Sequence, residues 1–324
     1  MLLKRLVATT CMTLAGVAGV AAQGFPTKQI SMMMPYAAGG PGDAIARIVA
    51  QGMSEALKQQ VYVENVGGAG GTIGSQRVAT ATPDGYSILM MHIGQATNVA
   101  LYPNIKYDAI KDFEPIGLVG EVPMVIVAKK DFQASDFKAF VAQIKANKDA
   151  LTYAHAGIGS ASQLCGLLFF SAIDTIVRQV PYRGTGPAMN DLIGGQVDFL
   201  CDQTVNTVPN AQAGTIKAYA VTVPKRLATL PDVPTADEMG LKGFDLAIWY
   251  ASYAPKGTPK PVLDTLAAAH QAALANPTVK EKLGNIGVII ASAERATPAA
   301  LAVHLKSEIE KWGPIIKKAG VKGE

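Results

Sequence analysis

The chain is poor in charged residues, aromatic residues and cysteine. Charged residues make up 17% of its 324 positions and aromatic residues 6%, and there are three cysteines. No basic stripe interleaved with aromatic side chains occurs, so the sequence gives no support to nucleic-acid binding. Hydrophobic residues, in contrast, reach 49%, and there are 32 glycines. This composition supplies enough apolar material for large cores and suits closely packed α/β units.

Sequence motifs of common enzymes and metal sites are also missing. No two histidines or cysteines have the spacing of a metal site, and no Gly-x-Ser-x-Gly elbow of a hydrolase occurs. Segment 67–74 lacks the Lys-Ser/Thr end of a phosphate-binding P-loop, and Ile73 breaks the glycine pattern of a dinucleotide site. We therefore expect no catalytic residue, no metal and no cofactor.

Long apolar runs are confined to the start of the chain. Residues 1–22 carry two basic residues near their start, Lys4 and Arg5. An uncharged apolar run follows and ends in small residues. This pattern predicts a cleaved secretory signal peptide. A membrane anchor is the alternative, but the run is about 16 residues and is short for a bilayer span. The expected mature protein is a soluble monomer exported to the periplasm.

The remaining cysteines and two of the four histidines give weak signals. Cys165 falls in a predicted helix and Cys201 in a predicted strand. An oxidising compartment permits a disulfide, but separate elements favour two buried thiols. His270 and His304 fall on predicted surface helices, so we expect both to be solvated.

A pattern of strand, glycines and helix repeats four times. Each apolar segment is followed by a glycine-rich loop and then by apolar residues at helical spacing. The predicted strands are Ile30–Met34, 61–64, 151–154 and 176–180, and their loops centre on 38–42, 67–71, 157–159 and 184–186. Alternation of this kind predicts an α/β fold with open, mostly parallel sheets flanked by helices.

Two apolar segments far apart in the chain suggest two lobes. Segments 113–128 and 246–254 are long, extended and apolar, as expected of crossings between lobes. The first lobe would comprise 23–122 and 249–324, and the second 123–248. A chain that crosses twice leaves a cleft between its lobes and a hinge at the crossings.

The glycine loops are candidate anion sites. A helix N-terminus has free N–H groups and partial positive charge, and glycines let a ligand approach the backbone. A single such loop is usually a plain turn, but four of them in one chain favour binding. Asp43 reads as the N-cap of the first helix, and its carboxylate would then occupy amides of the first turn. An anion would have to use the amides upstream of it.

Four polar residues fall at predicted strand ends, where ligands of α/β sheets bind. They are His92, His155, Arg183 and Asp202. An arginine can hold a carboxylate by two parallel hydrogen bonds. The alternatives are that Arg183 pairs with a surface acid and that Asp202 caps the next segment.

Several segments, in order, resemble one family. They are "FPTKQISMMMPYAAGGPGDAIAR", "VYVENVGGAGGTIGSQRVATATPDGYSILM", "VPYRGTGPAMNDLIGGQVDFLCD" and "WYASYAPKGTPKPVL". Together they are similar to the periplasmic substrate-binding proteins of tripartite tricarboxylate transporters, the Bug family. The resemblance spans essentially the whole mature chain.

The resemblance implies a two-lobed, type II periplasmic-binding-protein fold that closes on a small organic carboxylate and delivers it to a two-subunit membrane permease. A dicarboxylate is expected, either aromatic, such as terephthalate, or aliphatic, with a tricarboxylate also open. Two alternative functions are a periplasmic carboxylate sensor that acts on a signalling partner and an enzyme that acts on a carboxylic acid. The implied ligand-binding residues are Tyr36, Ala38, Gly39 and Gly40 in the first loop, His155, Gly157, Gly159 and Ser160 in the second, and His92, Arg183 and Asp202, with its neighbour Gln203, at the far end of the ligand.

Overall fold

The computed structural model describes residues 24–242 and 244–323, so the predicted signal peptide lies outside the described residues. Strands and α-helices alternate along this part of the chain. The strands are β1 (Ile30–Met34), β2 (Val61–Asn65), β3 (Ser87–His92), β4 (Phe113–Lys129), β5 (Thr152–His155), β6 (Arg178–Pro181), β7 (Phe199–Gln203), β8 (Ile216–Val221), β9 (Ala247–Pro255) and β10 (Ile289–Ile290). The α-helices are α1 (Pro41–Leu57), α2 (Thr72–Ala79), α3 (Gly94–Leu101), α4 (Phe137–Ala146), α5 (Ala161–Ile173), α6 (Thr185–Ile193), α7 (Thr204–Gln212), α8 (Lys260–Ala275), α9 (Pro277–Asn285) and α10 (Pro298–Ala319).

The strands form one mixed sheet in the order β2-β1-β3-β9-β4-β7-β5-β6, and β8 and β10 also pair with β4. The pairs β1–β2, β1–β3, β5–β6 and β5–β7 are parallel. Every described pair that involves β4 or β9 is antiparallel. The predicted α/β fold is confirmed. The expected parallel pairing is restricted to the outer strands, because β4 and β9 run back through the middle of the sheet.

Strand β4 joins two halves of this sheet. Its residues up to Pro123 pair with β9, and its residues from Met124 onward pair with β7 and β8. We call the part with β1, β2, β3, β9 and β10 the first sheet half, and the part with β5, β6, β7 and β8 the second. Nearly every residue of β4 is buried, as expected for a strand covered on both faces.

Each sheet half carries helices that bury its apolar faces. In the first half, α1 packs on α8 at Gly52, where a Cβ atom would lie 2.8 Å from the Cβ of Ala273. In the second half, Phe140 of α4 stacks on Tyr219 with ring centroids 4.3 Å apart. Among residues 24–242 and 244–323, no helix combines the length and apolar character of a membrane span.

The prediction of two free thiols is wrong, because Cys165 and Cys201 form a disulfide. Their Cα atoms lie 6.1 Å apart, and 36 positions separate them in the sequence. Helix α5 packs directly on β7, so two elements that are distant in the chain bring these side chains together. Local sequence patterns carry no information about that contact.

The expectation that His270 is solvated is also wrong. His270 is fully buried on α8, which packs between α1 and β4, and its Nε2 lies 3.2 Å from the carbonyl oxygen of Leu118. His304 on α10 is half-buried, and its ring lies 4.9 Å from the ring of Trp249.

Helix α1 begins at Pro41 rather than at Asp43. Gly40 is its N-cap residue, and proline at the first helical position is already set to the helical φ. Asp43 therefore lies in the first turn and reaches backward, where its Oδ2 accepts the N–H of Gly39 at 3.0 Å. Burial raises the pKa of the Asp43 carboxyl, but hydrogen bonds from Arg47 and Gly39 outweigh it and lower the pKa below its usual value.

Candidate functional site

A cavity lies between the two sheet halves, at the ends of β1, β3, β5, β6 and β7. Its free volume is about 30 Å³, and about 350 Å³ when the gaps between the lining atoms and the space open to solvent at its mouth are included. The first sheet half contributes Met34, Tyr36, Ala37, Gly40, Pro41, Gly42, His92 and Tyr250, and the second contributes Ala156, Ser160, Ala161, Ser162, Gly184, Thr185 and Gln203.

Four helix N-termini meet at this cavity. Helix α1 starts at Pro41, α5 at Ala161 and α6 at Thr185, and α7 follows directly after Gln203. Only α5 of these four has a side-chain cap, so the first-turn N–H groups of α1, α6 and α7 have no such partner. Each helix end carries roughly half a positive charge. Converging N-termini of this kind attract an anion and offer it N–H donors.

No cationic side chain adds to that field. Neither lysine nor arginine occurs among the described residues that line the cavity. Burial lowers the pKa of His92 to about 3, so its ring is neutral near pH 7. The N–H of Gly94 donates to His92 Nδ1 at 2.8 Å, which leaves the ring proton on Nε2. The helix ends are therefore the main attraction for an anion.

The loop after β5 is held rigidly by its own hydrogen bonds. Ser160 Oγ donates to the carbonyl oxygen of Gly157 at 2.6 Å and accepts the N–H of Gln163 at 3.2 Å. Ser162 Oγ accepts the N–H of Ala156 at 2.9 Å. Gly157 has a φ of +94°, a conformation that side chains disfavour. The loop thus presents a preformed edge to a ligand.

Aromatic side chains form the wall contributed by the first sheet half. The rings of Tyr36 and His92 lie 4.8 Å apart, and those of His92 and Tyr250 lie 5.7 Å apart. The hydroxyl of Tyr36 donates to the carbonyl oxygen of Gly70 at 2.8 Å. This wall offers flat apolar faces beside the helix ends.

The structure places five of the predicted residues in the cavity lining: Tyr36, Gly40, His92, Ser160 and Gln203. Ala38 and Gly39, in contrast, are exposed to solvent. The Gly39 N–H is already bound by Asp43, so it is not available to a ligand. Of the ligand-binding loop expected at 36–40, only Tyr36, Ala37 and Gly40 line the cavity.

Three predicted residues support the loop after β5 without lining the cavity: His155, Gly157 and Gly159. His155 is buried, its Nδ1 accepts the N–H of Gly157 at 3.1 Å, and burial lowers its pKa. Gly159 packs against Asn98 of the opposite sheet half, where a Cβ atom would lie 2.7 Å from Asn98 Oδ1. Ala156, between His155 and Gly157, faces the cavity instead.

Arg183 and Asp202 also lie outside the lining. The Arg183 side chain is exposed, and its backbone carbonyl accepts the N–H of Ala37 at 3.4 Å. Asp202 is fully buried behind Gln203. Its Oδ1 accepts the Gln203 N–H at 2.8 Å and its Oδ2 accepts the Asn206 side-chain N–H at 2.8 Å. Burial raises the pKa of Asp202 to about 6, although these hydrogen bonds lower it.

Sequence reasoning missed part of the lining for two reasons. Ser162, Gly184 and Thr185 stand one or two residues from predicted site positions, so the repeated strand-loop-helix pattern was sufficient to suggest them. Tyr250 had no local signal. It reaches the cavity because β9 pairs antiparallel with β3, which sets Tyr250 opposite His92.

Hydrogen bonds cross between the sheet halves on both sides of the cavity. Besides the Ala37–Arg183 contact, the Tyr102 hydroxyl donates to the carbonyl oxygen of Ile158 at 2.7 Å. Thr204 Oγ1 donates to the carbonyl oxygen of Gly287 at 3.1 Å. The halves are therefore closed over the cavity in this structure.

Comparison with known proteins identifies the family to which this chain belongs. A profile described as "Tripartite tricarboxylate transporter family receptor" matches residues 45–321. The chain belongs to this receptor family. Groups of three or more His, Cys, Asp or Glu side chains able to hold a metal ion do not occur in the described part of this receptor.

Three solved structures resemble the receptor closely. The periplasmic binding protein BugD is 49% identical, with a TM-score of 0.90 over 92% of this chain and 99% of its own. MatC from Rhodopseudomonas palustris with bound malate is 39% identical, with a TM-score of 0.87 over 90% of this chain and 100% of its own. An R. palustris protein with adipate is 29% identical, with a TM-score of 0.87 over 92% of this chain and 99% of its own. The expected periplasmic-binding-protein fold is confirmed.

Proposed function

We propose that this receptor captures a small organic dicarboxylate in the cavity between the sheet halves. The observation that carries the proposal is the meeting of four helix N-termini, three of them without a side-chain cap, in a cavity whose described lining residues include no lysine or arginine. Backbone N–H groups and helix dipoles suit a carboxylate. The structures with malate and with adipate support the same ligand chemistry.

The lobes of this proposal are residues 23–122 with 249–324, and residues 123–248. The change of partner strand between Pro123 and Met124 of β4 supports the first boundary. A ligand held by both lobes stabilises the closed arrangement, because it gains contacts that the open arrangement does not offer. Captured ligand is then delivered to the membrane subunits of the transporter, without chemical change.

Chain length and ring character of the ligand are decided by the aromatic wall. Tyr36, His92 and Tyr250 offer flat faces to an aromatic acid such as terephthalate, and an aliphatic dicarboxylate fits the same helix ends. Export through the predicted signal peptide at 1–22 places capture in the periplasm. We propose that the receptor acts as a monomer.

A thermal-shift screen tests the proposal. Purified mature receptor is heated with mono-, di- and tricarboxylates, both aliphatic and aromatic, and dicarboxylates are expected to raise Tm most, since a ligand that binds only the folded state stabilises it. The variant Ala156→Leu fills the cavity and should lose the shift. Ala302→Leu, on the exposed face of α10, should keep it. A screen in which no carboxylate raises Tm contradicts the proposal.

Two further measurements separate the alternatives. Incubation of the bound acid with the receptor, followed by mass spectrometry, should return the acid unchanged; any conversion would make the protein an enzyme. Uptake of the labelled acid by cells should be lost when the gene is deleted. Normal uptake with a lost transcriptional response would point to a sensor.

A further inference from the structure

Asp202 is a buried carboxyl group directly behind the cavity. Its side chain is fully buried, and the next residue, Gln203, lines the cavity. Asn206 connects it to a second lining residue: the Asn206 side-chain nitrogen donates to Asp202 Oδ2 at 2.8 Å and lies 3.5 Å from Thr185 Oγ1. The carboxyl group therefore belongs to the same water-poor region as a ligand in the cavity.

No cation compensates the charge of this group. Among residues 24–242 and 244–323, no lysine, arginine or histidine forms an ion pair with Asp202. The Gln203 N–H and the Asn206 side chain, which donate to it, are neutral. Burial raises the pKa of Asp202 to about 6, although hydrogen bonds lower it. The empty receptor therefore carries a mostly ionised Asp202 at pH 7, close to its titration range.

The strands around Asp202 bring no group that titrates near pH 7 toward it. Val125 of β4 stands opposite Asp202 in the antiparallel pairing. Burial raises the pKa of Tyr153 on β5 and of Tyr250 on β9 above the usual tyrosine value, so both stay neutral. Burial lowers the pKa of His155 on β5, which is therefore mainly neutral above pH 6.5.

The helices packed on β7 contribute one charged side chain. Helices α5 and α7 carry none, and Cys165 of α5 is held in the disulfide. Asp191 of α6 is half-buried, and its Oδ2 accepts the hydroxyl of Tyr182 at 2.6 Å. This second acid does not compensate Asp202, because its charge has the same sign.

We propose that the receptor takes up a proton on Asp202 when it captures a dicarboxylate, so that it binds this ligand more tightly as the pH falls from 8 to 6.5. This inference rests on the proposed function and adds a regulation of the same site.

The coupling follows from the repulsion between two negative charges. An ionised Asp202 and a bound anion repel each other across a region of low dielectric constant. A proton from the solvent that binds to one Asp202 oxygen removes this repulsion, as in pairs of carboxylates that share one site. The complex therefore binds more protons than the empty receptor does, and the affinity for the anion rises as the pH falls.

Calorimetry with four dicarboxylates measures the proton uptake. Malate, succinate, adipate and terephthalate are ionised at pH 7, so they release or bind few protons of their own. Each acid that binds is titrated at pH 7 in phosphate and in Tris, whose ionisation enthalpies differ. The difference in heat gives the protons taken up, for which we expect about 0.3 or more per ligand. The Kd should be at least about threefold lower at pH 6.5 than at pH 8.

A pair of aspartate variants assigns the proton to Asp202. Asp202→Asn keeps the size of the side chain but does not titrate. Its Kd should not change between pH 6.5 and 8, and at pH 8 it should be at least about threefold lower than that of the unmodified receptor. Asp191→Asn is the matched control, a second acid of the same sheet half, and it should keep the proton uptake.

Infrared difference spectroscopy decides if Asp202→Asn does not fold. Addition of ligand at pH 7 should then produce the C=O band of a protonated carboxyl group in the unmodified receptor and in Asp191→Asn. Absence of this band overturns the inference.

The calorimetric outcomes separate this inference from the proposed function. Binding without proton uptake and with a Kd independent of pH overturns the inference, as does proton uptake that persists in Asp202→Asn. In both cases the receptor still binds a dicarboxylate, so the proposed function stands. If none of the four acids binds, both fail.

Discussion

His270 links the stability of the fold to pH. Burial lowers its pKa to about 4, against a hydrogen bond to the Leu118 carbonyl that raises it. In the unfolded chain the same imidazole binds a proton near pH 6.5. The unfolded state therefore binds more protons between pH 6.5 and 4, so the stabilisation is complete above pH 6.5 and is lost as the pH falls through that range.

The variant His270→Gln tests this coupling. Its side-chain amide still donates to the Leu118 carbonyl but does not titrate. From pH 6.5 to 4.5, the free energy of unfolding of the unmodified receptor should fall relative to that of the variant by about 1.4 kcal/mol per pH unit. Denaturant titrations at each pH measure the difference in unfolding free energy between the two proteins. The contributions of the other titrating groups are the same in both and cancel in this difference. Parallel pH curves for the two proteins would contradict the assignment.

Arg183 provides a test of residue placement. The sequence predicts that it holds the far carboxylate of a diacid, whereas the structure leaves its side chain exposed and outside the cavity lining. From the structure, Arg183→Ala should change the Kd of a dicarboxylate by less than about fivefold, because an exposed charge contributes up to about 1 kcal/mol. Calorimetry with a dicarboxylate and its matching monocarboxylate measures this. A much larger loss for the dicarboxylate alone would restore the sequence prediction.

At the scale of elements, α5 is the helix whose position matters most for the cavity. Its N-terminus contributes Ser160, Ala161 and Ser162 to the lining, and its first turns are tied to β7 by the Cys165–Cys201 disulfide. Strand β7 ends at Gln203, which also lines the cavity. One covalent bond therefore fixes two lining segments relative to each other.

Removal of this disulfide should destabilise the receptor. The double variant Cys165→Ala, Cys201→Ala is expected to lose about 2–4 kcal/mol of unfolding free energy, because the unfolded chain is no longer constrained by a closed loop. Chemical denaturation with and without a thiol reductant measures it. The reductant should lower the stability of the unmodified receptor and leave the variant unaffected. A reductant effect of the same size on both proteins would rule out the disulfide as the cause.

At the scale of the whole molecule, the chain passes between the two sheet halves at two neighbouring points, in β4 and just before β9. Thr222 is fully buried there, and its Oγ1 accepts the N–H of Met124 at 3.1 Å and donates to the carbonyl oxygen of Leu246 at 2.6 Å. One side chain thus fastens both points at which the chain passes between the halves. We propose that motion about these points opens and closes the cavity.

Close approach of backbones across the cavity makes closure sensitive to a single methyl group. A Cβ atom on Gly186 of α6 would lie 2.9 Å from the carbonyl carbon and oxygen of Gly39, in the opposite sheet half. Gly186→Ala should hold the halves apart and raise the ligand Kd about tenfold or more, since only the closed fraction binds tightly. Calorimetry measures Kd, and small-angle scattering with ligand should show a larger radius of gyration.

The control for this prediction is Gly313→Ala on α10, where an added Cβ atom meets nothing within 4 Å. It should bind ligand as the unmodified receptor does. Because Gly186 contacts the opposite half rather than its own, Tm without ligand should be nearly unchanged in Gly186→Ala. An unchanged Kd in Gly186→Ala would mean that ligand binding does not require this degree of closure.

The amino-acid sequence by itself determined the local elements. Alternating apolar segments and glycine loops predicted the α/β fold and the strand Ile30–Met34 with the bounds that the structure shows. It also predicted ligand-binding loops at the strand ends. These features depend on periodicity and turn residues within short stretches, which a single sequence displays directly.

Only the tertiary structure decided which of those loops form the cavity and which side chains reach it. The disulfide, the burial of His270 and the place of Tyr250 opposite His92 all arise from contacts between segments far apart in the chain. Such contacts leave no mark on local patterns, so the sequence predicted a carboxylate site, and only the fold shows which residues line the cavity.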